Sequence, residues 1–327
     1  MKKQKSSNGL LTLFFLMLIF GGLFYYLYVN DKLPNITPQE EENETQQNNT
    51  QQNQTQQNNT QQNQTIEIQF AAGCRSTLYG VQQQKTPQYW VDAADFIANK
   101  VSAYETSLIY GIGGINDEPP GTCYLNFPHS GTYSHIEFSN VDQNENYLDA
   151  FDAAGYKVFL QVEPGLADIP QVIDLVLTQY SHHSSVIGFG VDAEWLGAPT
   201  YSDGRVISES ELNSWLNKVK TYNPNYKLFV KHWDYAHFPS NYNAEVIYID
   251  DSLSLGSLNN MVNEFKNWGT HFSNADVGFQ VGYPQDMSWW GNMNDPVAQI
   301  GNELKTEIPN MKYYYWVDFS IEEIYTK

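Results

Sequence analysis

The sequence predicts an α/β domain closed as a (β/α)8 TIM barrel, preceded by a transmembrane helix and a disordered stalk. Three observations carry the barrel reading. Short β-branched and aromatic runs alternate with helical patterns through residues 71–327, as in a parallel sheet with crossover helices. The runs number eight, in a segment close to the usual length of eight such units. The rival, an open doubly wound sheet, lacks its marks: no Gly-x-Gly-x-x-Gly turn follows the first run, and Gly111-Ile-Gly-Gly114 has no third glycine at the required spacing.

Taken in order, residues 1–9 form a tail bearing Lys2, Lys3 and Lys5, and residues 10–29 are an uncharged, largely apolar run. That length suffices to cross a bilayer as a helix. The run exceeds a typical signal-peptide core and ends in Phe24-Tyr25-Tyr26-Leu27-Tyr28 instead of small residues, so an uncleaved anchor is preferred over a cleaved leader. The lysines set the tail in the cytoplasm. The expected localisation is the cell membrane, single-pass, with the C-terminal domain extracellular.

Residues 30–70 are dominated by Asn, Gln and Thr, and the decapeptide starting at Gln46 recurs unchanged at Gln56. Such composition builds no core and predicts a disordered stalk. Asn-x-Thr acceptors fall at Asn35, Asn43, Asn48, Asn53, Asn58 and Asn63 and nowhere later, which suits a glycosylated spacer as well as a bare one.

In the remaining chain the strand candidates are Thr77–Val81, Ser107–Ile112, Lys157–Val162, Val186–Val191, Lys227–Lys231, Glu245–Asp250, Val277–Val281 and Tyr313–Val317. Apolar residues at spacings of three and four predict helices at Ile169–Tyr180, Glu209–Val219, Leu258–Trp268 and Pro296–Glu307. Ser208 with Glu211 three residues on is a capping-box start. The formal charge of −20 excludes nucleic acid as a partner, because no basic patch is available for it. Cys74 and Cys123, the two cysteines, are candidates for a disulfide in an extracellular domain.

The most informative segment is Val186-Ile-Gly-Phe-Gly-Val-Asp-Ala-Glu-Trp195. Side chains alternate along a strand, so Asp192 and Glu194 share a face with Cα atoms roughly 6.5–7 Å apart. They stand at the strand's C-terminal end, where barrel enzymes place their chemistry. Extending the alternation predicts a polar mouth of Gln161, Glu163, Asp192, Glu194, Lys231, Trp233, Tyr248, Asp250, Gln280, Trp316 and Asp318, with Trp195 and Tyr283 nearby. Carboxylates among aromatic faces are the ingredients of glycoside hydrolysis.

Ile187-Gly-Phe-Gly-Val-Asp-Ala-Glu194 resembles a degenerate form of the strand-four signature of the chitinase family of glycoside hydrolases, Asp-Gly-x-Asp-x-Asp-x-Glu. Gly188, Asp192 and Glu194 match, while Ile187 and Gly190 replace two aspartates. Tyr315-Trp316-Val317-Asp318 resembles the family's closing tryptophan segment, and Tyr248-Ile-Asp250 is a looser match to its strand six. The resemblance implies a retaining, substrate-assisted mechanism on N-acetylated glycan. Glu194 would be the general acid, Asp192 would orient the substrate's acetamido group, and Tyr248 would hold that group. Substrate-binding roles would fall to Glu163, Trp195, Lys231, Trp233, Asp250, Gln280, Tyr283, Trp316 and Asp318.

Lysozyme-like muramidases also place Asp-x-Glu at strand four, but they carry a further strand-one aspartate that Tyr79-Gly-Val-Gln82 lacks. Strand seven offers Gln280 where many retaining glycosidases have a nucleophilic glutamate. His232, His237, Asp234, Asp250 and Asp251 show no metal-binding spacing, and no Gly-x-Ser-x-Gly elbow occurs, so neither a metal nor a cofactor is expected. A non-catalytic lectin or adhesin on the same barrel is the alternative to an enzyme.

Overall fold

The computed structural model describes residues 69–326 apart from positions 78, 79, 81–84, 118 and 200–203. The tail, the membrane anchor and nearly all of the stalk lie outside the described residues. So does Lys327. No described helix is long and apolar enough to cross a membrane.

Eight parallel strands form a closed ring. They are β1 (Ala71–Ser76), β2 (Glu105–Asp117), β5 (Lys157–Val162), β6 (Val186–Asp192), β7 (Lys227–Lys231), β8 (Ile247–Asp250), β9 (Val277–Val281) and β10 (Met311–Val317). Each pairs with the next of these in chain order, and β1 pairs with both β10 and β2 to close the barrel. Beyond the ring, β3 (Pro120–Leu125) runs antiparallel to the extended end of β2, and β4 (Ile136–Phe138) pairs with β3.

The long helices start where side chains satisfy the free N–H groups of their first turns. Thr86 caps α1 (Pro87–Lys100), Asp168 caps α3 (Ile169–Tyr180), Ser257 caps α5 (Leu258–His271) and Asp295 caps α6 (Pro296–Glu307). The predicted capping box of Ser208 and Glu211 opens α4 (Glu209–Tyr222). Between β4 and β5, α2 (Glu145–Ala154) ends on Gly155 at φ 74°, a left-handed position that glycine adopts without strain. The β7–β8 connection holds only a 3-10 turn at Tyr235–His237.

Two expectations are corrected. The first strand is Ala71–Ser76; Thr77 and Gly80 of the expected Thr77–Val81 lie outside it, and residues 78, 79 and 81 lie outside the described residues. Small residues specify the strand: a Cβ on Gly73 would lie 2.0 Å from the Ser107 carbonyl oxygen, so close strand approach outweighs β propensity. The cysteines form no disulfide and are buried free thiols. Arg75 pairs with Ile109 and Cys123 with Ile115, so the levels of Cys74 and Cys123 differ by roughly 20 Å along β2. A disulfide tolerates a Cα separation of only about 7 Å.

The lower lumen is an apolar plug of Ala71, Ile109, Phe159, Phe229, Ile247, Ile249, Tyr313 and Tyr315, with Ile187 packed against it. Phe159 makes edge contacts with Phe229 and Tyr313. The plug leaves no room for an aspartate at the position where the resembling signature has one, because a Cβ on Gly190 would stand 2.0 Å from the Phe229 ring. Restoring that residue as Gly190→Asp is therefore expected to lower stability by about 1–3 kcal/mol or more through overpacking. Urea unfolding checks this, and an unchanged midpoint would show that the lumen has room.

Candidate active site

Above the apolar plug the lumen turns ionic. Lys231, at the end of β7, places its Nζ 3.1 Å from Asp192 Oδ2 at the end of β6 and 2.8 Å from Glu194 Oε1 in the turn that follows. It also contacts Asp251, the residue after β8. The ammonium is 3% exposed and Asp192 2%, whereas Glu194 is 18% exposed and is the carboxylate of this group open to solvent. Gln161 Nε2 approaches Asp192 Oδ2 at 3.5 Å, and the Tyr283 hydroxyl lies 3.4 Å from Asp251 Oδ2 and 3.1 Å from Gln280 Oε1.

A second buried cation, Arg75 of β1, sits beside the first group. Its guanidinium donates to Gln280 Oε1 at 3.3 Å and pairs with Asp318 Oδ1 at 3.4 Å. Asp318 Oδ2 also accepts from the Thr77 N–H at 2.6 Å and from the Thr77 hydroxyl at 2.5 Å. Asp318 thus fastens the β10–β1 seam, with Arg75 as its counter-ion. Glu163, at the end of β5, accepts from the Ile115 N–H at 3.1 Å.

Five carboxyl groups, those of Glu163, Asp192, Glu194, Asp251 and Asp318, therefore share the mouth with two cations. Full ionisation would leave uncompensated negative charge where burial disfavours it. Glu163, Asp192 and Asp251 respond by holding their protons more tightly. Burial, reinforced by Asp192, pushes Glu163 up to about 8 against the pull of Ile115, Arg75 and Lys231. Burial and the charge of Glu194 push Asp251 up to about 7, and Asp251 also hydrogen-bonds Glu194. Burial raises Asp192 too, opposed chiefly by Lys231. The opposing carboxylates hold the Lys231 ammonium well above its ordinary value despite burial, so it stays charged.

The structure brings together Glu163, Asp192, Glu194, Lys231, Gln280 and Tyr283 as the sequence predicts, with Trp195 and Trp233 half-buried just past the ends of β6 and β7. It moves three predicted residues elsewhere. Ile247 and Ile249 occupy the lumen, so Tyr248 and Asp250 face the helices. The Tyr248 ring stacks on Phe272 at 4.1 Å and its hydroxyl donates to the Asn243 carbonyl, while Glu264 of α5 is the foremost charged neighbour of Asp250. Trp316 likewise faces outward, edge-on to Trp290, with its Nε1 donating to Ser320. In a barrel both faces of a strand are buried, so apolar alternation does not say which face is the lumen.

Arg75 and Asp251 were not among the predicted site residues. Arg75 precedes the strand expected first. Asp251 adjoins Asp250, and two successive acids at a strand end necessarily point to opposite faces, a signal that was present in the sequence.

No family model matches the chain, and no curated protein matches its sequence. Similar solved structures include an FMN-binding β-glucuronidase from Facaelibacterium prausnitzii at 12% identity, covering 77% of this chain and 38% of that one with a TM-score of 0.45. A β-glucuronidase from Parabacteroides merdae matches at 12% identity over 76% of this chain and 31% of that one, TM-score 0.43. The β-D-glucuronidase of Dictyoglomus thermophilum matches at 10% identity over 76% and 43%, TM-score 0.42. The chain spans less than half the length of these enzymes. Its barrel assignment rests on the strand order above.

Two outcomes follow from the ionic layer. Lys231→Met strands three acids around an apolar side chain and is expected to cost about 3–5 kcal/mol at pH 7. Urea unfolding measures it, and an unchanged midpoint would mean that the cation does not hold the acids. The second outcome concerns pH. Folded Glu163 and Asp251 keep protons that the unfolded chain releases above its ordinary values of 4.5 and 3.8. Unfolding thus releases protons between about pH 4 and pH 8, so their contribution to stability is full at the acid end and lost as pH rises. The urea midpoint of wild type should fall from pH 5 to pH 8 by more than that of Glu163→Gln. Equal falls would contradict the raised carboxyl.

Proposed function

We propose that the protein is a glycoside hydrolase of N-acetylated glycan, held outside the cell by the anchor at 10–29 and the stalk at 30–70. One observation supports it most. At the C-terminal mouth of the barrel a solvent-facing carboxyl, Glu194, shares the Lys231 ammonium with a buried acid, Asp251, whose carboxyl is pushed up to about 7 by burial and by the charge of Glu194. A leaving glycosidic oxygen takes a proton through Glu194, with Asp251 behind it as the proton reserve, and Lys231 stabilises the negative charge left behind.

The second group of the reaction is then the substrate's own. Gln280 carries no nucleophilic oxyanion, Asp192 is shielded below Lys231, and Asp251 is buried and holds its proton into the neutral range. An acetamido oxygen on the sugar supplies the attack, as in substrate-assisted hydrolases. In this reading Asp192 positions through Lys231, and Tyr283 takes the place that the chitinase resemblance assigned to Tyr248. Half-buried Trp195 and Trp233 offer faces for sugar rings.

Purified full-length protein incubated with N-acetylglucosamine oligosaccharides, peptidoglycan fragments and deacetylated oligosaccharides tests the proposal. Wild type should cleave an acetylated substrate and spare the deacetylated one, and Glu194→Gln should lower kcat by about 10²–10⁴. Equal rates in the two proteins would remove Glu194 from the acid role. Binding of oligosaccharide with no hydrolysis by wild type would favour a lectin.

A further inference from the structure

A second cluster of chemistry-bearing side chains lies where α3 turns into β6. His182 and His183 precede β6, at the opposite end of the strand from Asp192. The turn packs on a face of α2 that bears Glu145, Asp149 and Asp152, residues at helical spacing. His182 Nε2 is 3.2 Å from Glu145 Oε1, and His183 Nε2 is 3.5 Å from the same oxygen. On the other side of its ring, His183 Nδ1 lies 2.9 Å from Asp152 Oδ2. Asp152 is itself held by the Ser185 N–H at 2.7 Å.

Asp152 accepts a hydrogen bond from the Nδ1–H of His183, and this tautomer presents a lone pair at Nε2. That atom is buried and has no hydrogen-bond partner among the described residues. The His183 side chain is 2% exposed, so water gives it little relief. It faces Glu145 Oε1, which also bears lone pairs. Two acceptors turned toward each other repel, and a cation between them reverses the sign.

We propose that His182 Nε2, His183 Nε2 and Glu145 Oε1 form a site for a divalent transition cation, with zinc the best fit. Tetrahedral ligands about 2.0–2.1 Å from zinc stand about 3.3–3.4 Å apart, and two of the three separations here are 3.2 and 3.5 Å. The ligand atoms all lie within 4.8 Å of one another, and the His182 side chain, 57% exposed, is free to turn to complete the set. Two imidazoles and a carboxylate suit zinc over magnesium or calcium. Asp152 behind His183 is the second-layer carboxylate that metal-bound histidines carry. The bound ion ties α2 to the α3–β6 turn, away from the mouth.

The full-length chain, stripped with chelator and dialysed against zinc, should retain one equivalent and unfold at a higher temperature than the stripped protein. Cobalt in place of zinc should give the visible bands of a four-coordinate ion. His182→Ala removes an exposed ligand, and Glu145→Gln keeps side-chain size; each should lose the retained zinc and the thermal shift while unfolding as stripped wild type does. Equal zinc retention in wild type and both variants would overturn the site. So would wild type that retains no zinc and shows no shift, which would assign the His183 contact to an imidazolium proton.

Discussion

The buried ammonium of Lys231 is the interaction on which the mouth depends. It joins acids from the ends of neighbouring strands, Asp192 and Glu194 after β6 and Asp251 after β8, through a cation that β7 delivers between them. A lysine in water would gain little from any one of these contacts. At 3% exposure the same charges are costly apart, so the group persists only while all its members are in place. Such a site is held stiffly by its own electrostatics.

The rest of the barrel serves that arrangement. The apolar plug around Phe159 and Phe229 fills the lower lumen, so the charged layer rests on a floor with no room for further acids. Arg75 and Asp318 perform a parallel task at the β10–β1 seam, where one carboxylate accepts from Thr77 twice and from a guanidinium. Acids outnumber cations, and the structure accommodates the imbalance by protonation at Glu163 and Asp251. An interior of this kind is costly in stability, because it buries charge that only its own partners compensate.

Much of the fold was legible in the sequence because local signals agreed with tertiary ones. The runs Lys157–Val162, Lys227–Lys231 and Val277–Val281 are strands with those bounds, and Ile169–Tyr180 and Pro296–Glu307 are helices with theirs. The first strand was illegible because Ala71-Ala-Gly-Cys is chosen for close approach, and losing it also lost Arg75. Half of the site was legible: Asp192, Lys231 and Gln280 stand where alternation put them, and Glu194 joins them from the 3-10 turn Ala193–Trp195 instead of from the strand. Tyr248, Asp250 and Trp316 did not, because a barrel strand buries both faces and a shift of one residue exchanges them. Asp251 took the place read for Asp250.

The central claim is that Asp251, beside Glu194 on the Lys231 ammonium, keeps a proton into the neutral range. Carbon-13 titration of the side-chain carboxyls measures it directly. The account predicts that the Asp251 carboxyl titrates near 7 in wild type and at lower pH in Glu194→Gln, where the neighbouring negative charge is gone. An Asp251 carboxyl that titrates in the ordinary aspartate range, or one that is indifferent to Glu194, would contradict it.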